Sequence, residues 1–413
     1  MKDPERTLVN PPNERAFDAT VAAASSTNVS VTGVARSLAG ARSTVLPRVV
    51  ATDGASRLVV EGKPRYEEVR PLGSGGQAFV TLTRDHDIDR VVALKRLLPE
   101  NQDDASVLRF AEEVRTVGRL EHPNIVPIHD VGVDERGQYF FTMKYVEGET
   151  LESVIAKLRA GDAAYLARYT QEYRLQICNE ILRGVQHAHE QGILHRDLKP
   201  ANVMIGSLGE VVVMDWGLAR QVAANGSVEI SSDGSPVAPA PGATARMFET
   251  QAGALVGTPA YMSPEQAAGQ PLDERSDVYS LAVMFYEFLS LRHPRAECGS
   301  VAEMIASICS EPITTAKIFR EFTAAGAPAA LGHFVRHGIE RDPARRYASV
   351  AAMRERLEAV RDRHAPIECH VTLMQRVLGM LSHGVDRHPY LLALSMLAVS
   401  AAAVTGVVML ARG

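Results

Sequence analysis

The pattern of apolar residues changes period once along this chain. From Tyr66 it runs in short β-type stretches separated by turn residues, and beyond Gly148 it recurs every three to four residues over long segments. One change of that kind specifies a small β-rich lobe followed by a larger helical one, an α+β fold. In the first part, Phe79-Val80-Thr81-Leu82-Thr83 and Arg90-Val91-Val92-Ala93-Leu94-Lys95 flank the polar Asp85-His86-Asp87, as two antiparallel strands would. Val107, Leu108, Val114, Val117 and Leu120 then mark a helix that His122-Pro123-Asn124 stops. Strand character returns at Ile125-Val126 and over Tyr139 to Met143. Past Gly148 the helical period predicts segments near 151–159, 165–191, 276–291, 301–310 and 346–360.

The flanks differ from this middle. Residues 1–65 are rich in Ala, Ser, Thr and Val with one aromatic, Phe17, so the expectation is a disordered arm with too little apolar area to offset its ordering entropy. The first apolar pair, Leu8-Val9, runs into Asn10-Pro11-Pro12-Asn13-Glu14-Arg15, unlike an export signal. Residues 221–252 form a Gly/Ser/Pro/Ala stretch expected to be a loop inside the domain. At the far end, 390–410 carries no charge over 21 residues, and a helix of that length reaches about 30 Å, one hydrocarbon thickness. The reading is a transmembrane helix preceded by a linker over 361–389. Arg376 and Arg387 before it and Arg412 after it place the N-terminal bulk on the cytoplasmic side.

Charge narrows the function classes. The net value of -5 is uneven, with 30 basic against 40 acidic residues over 66–360 and mildly basic flanks. An acidic domain argues against nucleic acid as a partner. The cysteines, Cys178, Cys298, Cys309 and Cys369, show neither a C-x-x-C pair nor zinc-ligand spacing, which implies free thiols.

The chemistry-bearing residues follow one another in a definite order. Leu72-Gly73-Ser74-Gly75-Gly76-Gln77-Ala78-Phe79-Val80 sits where a strand turns back, and its glycines allow backbone amides to approach phosphate. Lys95 ends the next strand. His195-Arg196-Asp197-Leu198-Lys199-Pro200-Ala201-Asn202 follows, and then Asp215-Trp216-Gly217. Together these runs resemble the glycine loop, strand lysine, catalytic loop and metal-binding motif of the eukaryotic-type protein kinases, over about residues 66–360.

The resemblance implies a bilobal kinase fold, with lobes at 66–148 and 149–360, and a set of roles. Asp197 would take or orient the proton of the attacking hydroxyl, and Lys199 would neutralise the transferred phosphoryl. Lys95 would hold the phosphates with an acidic partner on the following helix, for which Glu112 and Glu113 compete; the family spacing favours Glu113. Asn202 and Asp215 would bind Mg²⁺, with Mn²⁺ as an alternative. ATP would lie among Leu72, Gly73, Gly75, Gly76, Val80, Ala93, Lys95, Met143, Tyr145, Val146 and Asn202. Val117, His195 and Trp216 would form one apolar column. Lys199-Pro200-Ala201-Asn202 resembles the Ser/Thr-specific branch.

Further on, Gly257 to Glu265 resembles the peptide-docking end of the activation segment. Glu265 would pair with Arg346, and Asp277 would anchor the catalytic loop from below. The sequence departs from the pattern at Ala78, Trp216 and Ser263, none of which is a phosphate or metal ligand. Arg196, beside Asp197, would meet a phosphorylated Thr244 or Thr250. The resulting expectation is a bacterial, membrane-anchored Ser/Thr protein kinase that phosphorylates proteins and itself, with room for a homodimer. Two alternatives stand beside it: a nucleotide-binding pseudokinase, against which Lys95, Asp197, Asn202 and Asp215 all speak, and a small-molecule kinase on the same fold, which has no need of the docking segment.

Overall fold

A computed structural model describes residues 44, 46, 48–52, 55–59, 64–74, 78–216, 220–221 and 259–362. The predicted span at 390–410, the linker beyond Asp362 and residues 222–252 of the predicted loop lie outside them. Among the described residues no helix is long and apolar enough to cross a membrane.

The first lobe is a five-stranded antiparallel sheet of β3 (Tyr66–Ser74), β4 (Ala78–Asp85), β5 (Arg90–Leu97), β6 (Ile128–Val133) and β7 (Tyr139–Lys144), in the order β3-β4-β5-β7-β6. Val92, Ala93 and Leu94 of β5 are all buried, as suits a central strand covered on both faces. One cover is helix α1 (Asp104–Val117), whose start is capped by Asp103 accepting from Ser106 N. Phe110 of α1 packs with Leu97 and Phe141, flanked by Val107 and Val114. Leu108, counted with the apolar stripe in the sequence, is 42% exposed instead.

The second lobe holds α2 (Leu151–Arg159), α3 (Ala163–Arg168), α4 (Gln171–Glu190), α5 (Pro264–Ala267) and α6 (Glu274–Ser290). Beyond these come α7 (Val301–Ser310), α8 (Thr315–Ala324), α9 (Ala329–Gly338) and α10 (Val350–Arg361). Helix α6 is buried at every position from Ser276 to Ser290, so the other helices pack around it. Short strands β8 (Gly148–Thr150), β10 (Val203–Gly206) and β11 (Val211–Val213) form a small sheet at the lobe junction. Strands β9 (Ile193–Leu194) and β12 (Arg220–Gln221) pair beside the catalytic loop.

The arm reading needs correction over part of its length. Strands β1 (Arg48–Thr52) and β2 (Ala55–Val59) pair in antiparallel register, Arg48 opposite Val59 and Thr52 opposite Ala55. The physical reason is local. Val49-Val50 and Leu58-Val59 are strand formers separated in sequence by Asp53-Gly54, a strong hairpin signal. Leu46 N also donates to Asp87 Oδ1 at 3.1 Å, on the turn between β4 and β5.

Candidate active site

The site begins at the pairing of β5 with its neighbours, which sets Lys95 opposite Val80 on one side and Phe141 on the other. From there Lys95 Nζ reaches Glu113 Oε1 of α1 at 2.6 Å and Asp215 Oδ1 at 3.3 Å. Glu113 is buried and Glu112 exposed, so the helix presents the acid that the family spacing favours. Desolvation by burial pulls the Lys95 ammonium down, but the Glu113 and Asp215 carboxylates outweigh it and hold the group above its usual range. Desolvation likewise pushes the Asp215 carboxyl up, and Lys95 more than reverses that, leaving it below the usual carboxylate range. Lys95 is therefore a fixed positive charge and Asp215 a fixed negative one.

The second cluster comes from the loop between β9 and β10. Lys199 Nζ donates to Asp197 Oδ2 at 2.7 Å, and Asn202 Nδ2 donates to the same oxygen at 3.1 Å and to the Asp197 carbonyl at 2.8 Å. Both side-chain donors use Oδ2, and no donor among the described residues takes Oδ1. The Asn202 amide nitrogen is spent on Asp197, which leaves its oxygen as the end that can act as a ligand. With Asp215 it makes a pair of hard oxygen donors, the kind Mg²⁺ takes when substrate phosphates and water complete its octahedron. No group of three or more His, Cys, Asp or Glu that could hold a metal exists among the described residues, so protein side chains alone do not build a closed cage.

Backbone conformation delivers these side chains. Arg196 and Asp215 are two of the four non-glycine residues with left-handed φ among those described, at 68° and 59°. Such residues cost about 1–3 kcal/mol each and persist only where their surroundings hold them. For Arg196 the holder is Asp277 of α6, whose Oδ2 accepts from His195 N at 2.8 Å and whose Oδ1 accepts from Arg196 N at 2.9 Å. His189 Nε2 lies 2.8 Å from the same Oδ2. Burial pulls His189 down, but Asp277 and Glu274 push it up to about 9. Gln266 Nε2 adds a bond to the Arg196 carbonyl at 2.8 Å. Before Asp215, Met214 N donates to the Asn202 carbonyl at 2.8 Å, and His195 Nε2 lies 3.1 Å from Met214 O. The His195 and Trp216 rings stand 4.5 Å apart, and Val117 shares their buried region with Trp216.

The remaining predicted residues distribute as follows. Leu72 and Gly73 lie on β3, with Gly73 opposite Val80, while Gly75 and Gly76 lie outside the described residues. Ala93 faces Met143 across β5 and β7. Val146 is buried in the connector, and Tyr145 accepts from Arg70 Nη2 at 3.3 Å, tying that connector to β3. Glu265 pairs with Arg346 through two bonds of 2.7 and 2.8 Å. Thr244, Thr250 and Thr258 lie outside the described residues.

Sequence reasoning passed over three residues that brace the site. Asn124 was read as part of a helix stop, yet its Nδ2 donates to Val211 O at 2.9 Å and its carbonyl accepts from Val213 N at 2.8 Å, clamping the strand that leads to Asp215. His189 and Gln266 were not singled out. The one available signal was that all three are polar residues within apolar or helical surroundings.

A protein kinase domain model matches residues 66–357. The chain is 32% identical over 295 residues to the serine/threonine-protein kinase PknD of Protochlamydia amoebophila, covering 69% of this chain and 29% of that one. It is 33% identical over 306 residues to the serine/threonine-protein kinase PknB of Mycolicibacterium smegmatis, covering 73% and 44%. A probable serine/threonine-protein kinase of Streptomyces coelicolor is 33% identical over 302 residues, covering 72% and 40%. The chain thus spans about a third to under a half of the length of these relatives.

Proposed function

Because the chain belongs to the protein kinase family, we propose that it transfers the γ-phosphoryl of ATP to serine and threonine hydroxyls of protein substrates, its own included. The observation that carries this is the pair of clusters above: Lys95 bound to both Glu113 and Asp215, and Asp197 held through Oδ2 by Lys199 and Asn202, with Oδ1 taken by no donor among the described residues.

In this mechanism Lys95 neutralises the nucleotide phosphates, and Glu113 fixes where its ammonium stands. Asn202 and Asp215 would hold Mg²⁺, which when bound offsets the negative charge of the β- and γ-phosphates. Asp197 Oδ1 accepts the proton of the substrate hydroxyl as the new O–P bond forms and the bond between Pγ and the bridging oxygen breaks, releasing ADP. Lys199, already beside Asp197, neutralises charge on the phosphoryl in transit. The remaining demand is positioning, which the anchoring of Arg196 and Met214 supplies.

The test is Asp197→Asn in the full chain. Phosphate incorporation from ATP and Mg²⁺ into a generic basic protein should fall at least about a hundredfold, the usual scale of general-base loss. Unchanged incorporation refutes the mechanism. The proposal extends to location: the uncharged run at 390–410 supports a single-pass membrane anchor with the kinase domain on the cytoplasmic side.

A further inference from the structure

Strand β3 is exposed at every residue from Glu67 to Ser74 and has β4 as its one neighbour in the sheet. Its pairing with β4 slips twice, between Glu68 and Arg70 and between Pro71 and Gly73. Glu68 stands opposite Thr83, so an unbroken ladder would set Val69 opposite Leu82 and Arg70 opposite Thr81. The first slip sets Arg70 opposite Leu82 instead, and the same row continues through Ala93 of β5 to Met143 of β7. Paired residues share a face of a sheet, and so do alternate residues of one strand, which puts this row on the face that carries Lys95. The slip therefore turns Arg70 from the far face of the sheet to the nucleotide side, a re-aiming of the kind that bulges perform beside active sites.

Arg70 then reaches the opposite wall of the cleft. Its Nη2 donates to the Tyr145 hydroxyl at 3.3 Å, in the connector between the lobes. Arg70 is exposed and Tyr145 half-buried, so the bond stands at the mouth, outside the place where Leu72 and Val146 would hold the adenine. Among the described residues no other side-chain hydrogen bond joins the β3–β4 hairpin to the connector. Deeper in, Lys95 and Asp215 tie the lobes again at 3.3 Å. Gly73 and Ser74 end β3, so the strand that Arg70 pins is the one that leads into the glycine run.

We propose that Arg70 and Tyr145 form a latch across the adenine mouth of the cleft, which must open each time a nucleotide enters or leaves. The proposal rests on the reading of the chain as a protein kinase. Arg70 is a positioning residue: it touches no reacting atom and acts on nucleotide exchange by holding β3 against the connector. Opening and closing steps of this kind limit turnover in many enzymes.

The experiment uses the full chain with Mg²⁺ and an ADP carrying a fluorescent N-methylanthraniloyl group, followed by stopped flow. A gate acts on passage in both directions. Arg70→Leu should therefore raise the association and dissociation rate constants together, each by about three- to tenfold, the factor that one such hydrogen bond supplies. Kd should stay within about twofold. Tyr145→Phe should raise the dissociation rate by a similar factor, and the double variant should exceed neither single change, because both remove the same bond. Arg70→Lys keeps a donor and should restore part of the wild-type rates. The proposal is overturned if Arg70→Leu leaves both rates unchanged, or if it raises the dissociation rate alone with Kd in proportion, the mark of a lost contact to the nucleotide. Factors that multiply in the double variant overturn it as well. A wild-type chain that binds no ADP overturns the kinase reading itself, and this proposal with it.

Discussion

Replacing Glu265 by Gln should destabilise the protein by about 3–5 kcal/mol, although no atom of the phosphate site is touched. The magnitude follows from what Arg346 loses and keeps. Its side chain is fully buried, and its bonds to Glu265 are 2.7 and 2.8 Å long. Each charge-assisted bond contributes roughly 1.5–3 kcal/mol. Arg346 keeps the carbonyls of Glu340, Arg275 and Arg341 at 2.7, 2.8 and 3.0 Å, which solvate the guanidinium without neutralising it. A buried charge without its counter-ion remains. Desolvation pushes the Glu265 carboxyl up, but Arg346 reverses this and holds it below the usual range, so the native pair is ionic. For a domain of this size the loss should lower Tm by roughly 6–20 °C in a thermal scan. Arg346→Met should cost a similar amount by stranding the carboxylate. The double variant Glu265→Leu/Arg346→Met removes both charges and should cost less than either single change. A Gln variant that loses under about 1 kcal/mol, or a double variant that costs the sum of its parts, would refute the reasoning.

Lys95→Met should lower kcat by about 10²–10³-fold, the loss typical of one preorganised electrostatic group, while the near-ultraviolet dichroism of the fold is retained. His189 sets a pH dependence. Its pKa is raised to about 9 from 6.5, so the stability it contributes is complete below pH 6.5 and is lost as pH rises through 9. The fall should be about 2–3 kcal/mol in urea titrations across that window, and His189→Gln should flatten it. The full chain should sediment with membranes and a chain ending at His388 should not, which fractionation of cell extracts checks directly.

Much of the fold was legible because the packing that determines it is periodic. The β4–β5 pair, α1, β7, α2, α6, α7 and α10 all fall on runs that the apolar pattern marks, although Leu108 of α1 is exposed and α6 is buried on every side. Helices α8 and α9 did not stand out, and the reason for α9 lies in two of its residues. Gly332 and Gly338 are poor helix formers by type, but a Cβ at Gly338 would stand 2.5 Å from the Ala282 Cβ, and one at Gly332 would stand 3.0 Å from the Phe319 ring. They are contact points where helices touch, a fact that lies in the partner helix and not in the local sequence. The predicted helix 165–191 divides at Tyr169 because Thr170 caps a new start by accepting from Tyr173 N at 3.3 Å. A threonine inside an apolar-periodic run carries that meaning only once the break is known.

The candidate site was legible for a different reason. Asp197, Lys199 and Asn202 are close in sequence, so their types and spacing already fix that they meet. Resemblance then joined them to Lys95, Glu113 and Asp215, and the geometry brings together all of these that it describes. What spacing cannot convey is why Asp197 points outward. That depends on Asp277, 81 residues from Arg196, whose two oxygens fix consecutive amides and so pay for the left-handed turn between His195 and Asp197. A carboxylate can do this because each oxygen accepts, whereas an amide in its place would set a donor against one of the two N–H groups. The resemblance named this anchor, but the supporting His189 and Gln266 have no pattern in sequence because each answers to a backbone or carboxylate brought near by folding. Residues that do chemistry are recognisable by type, while those that aim them are recognisable only by what they touch.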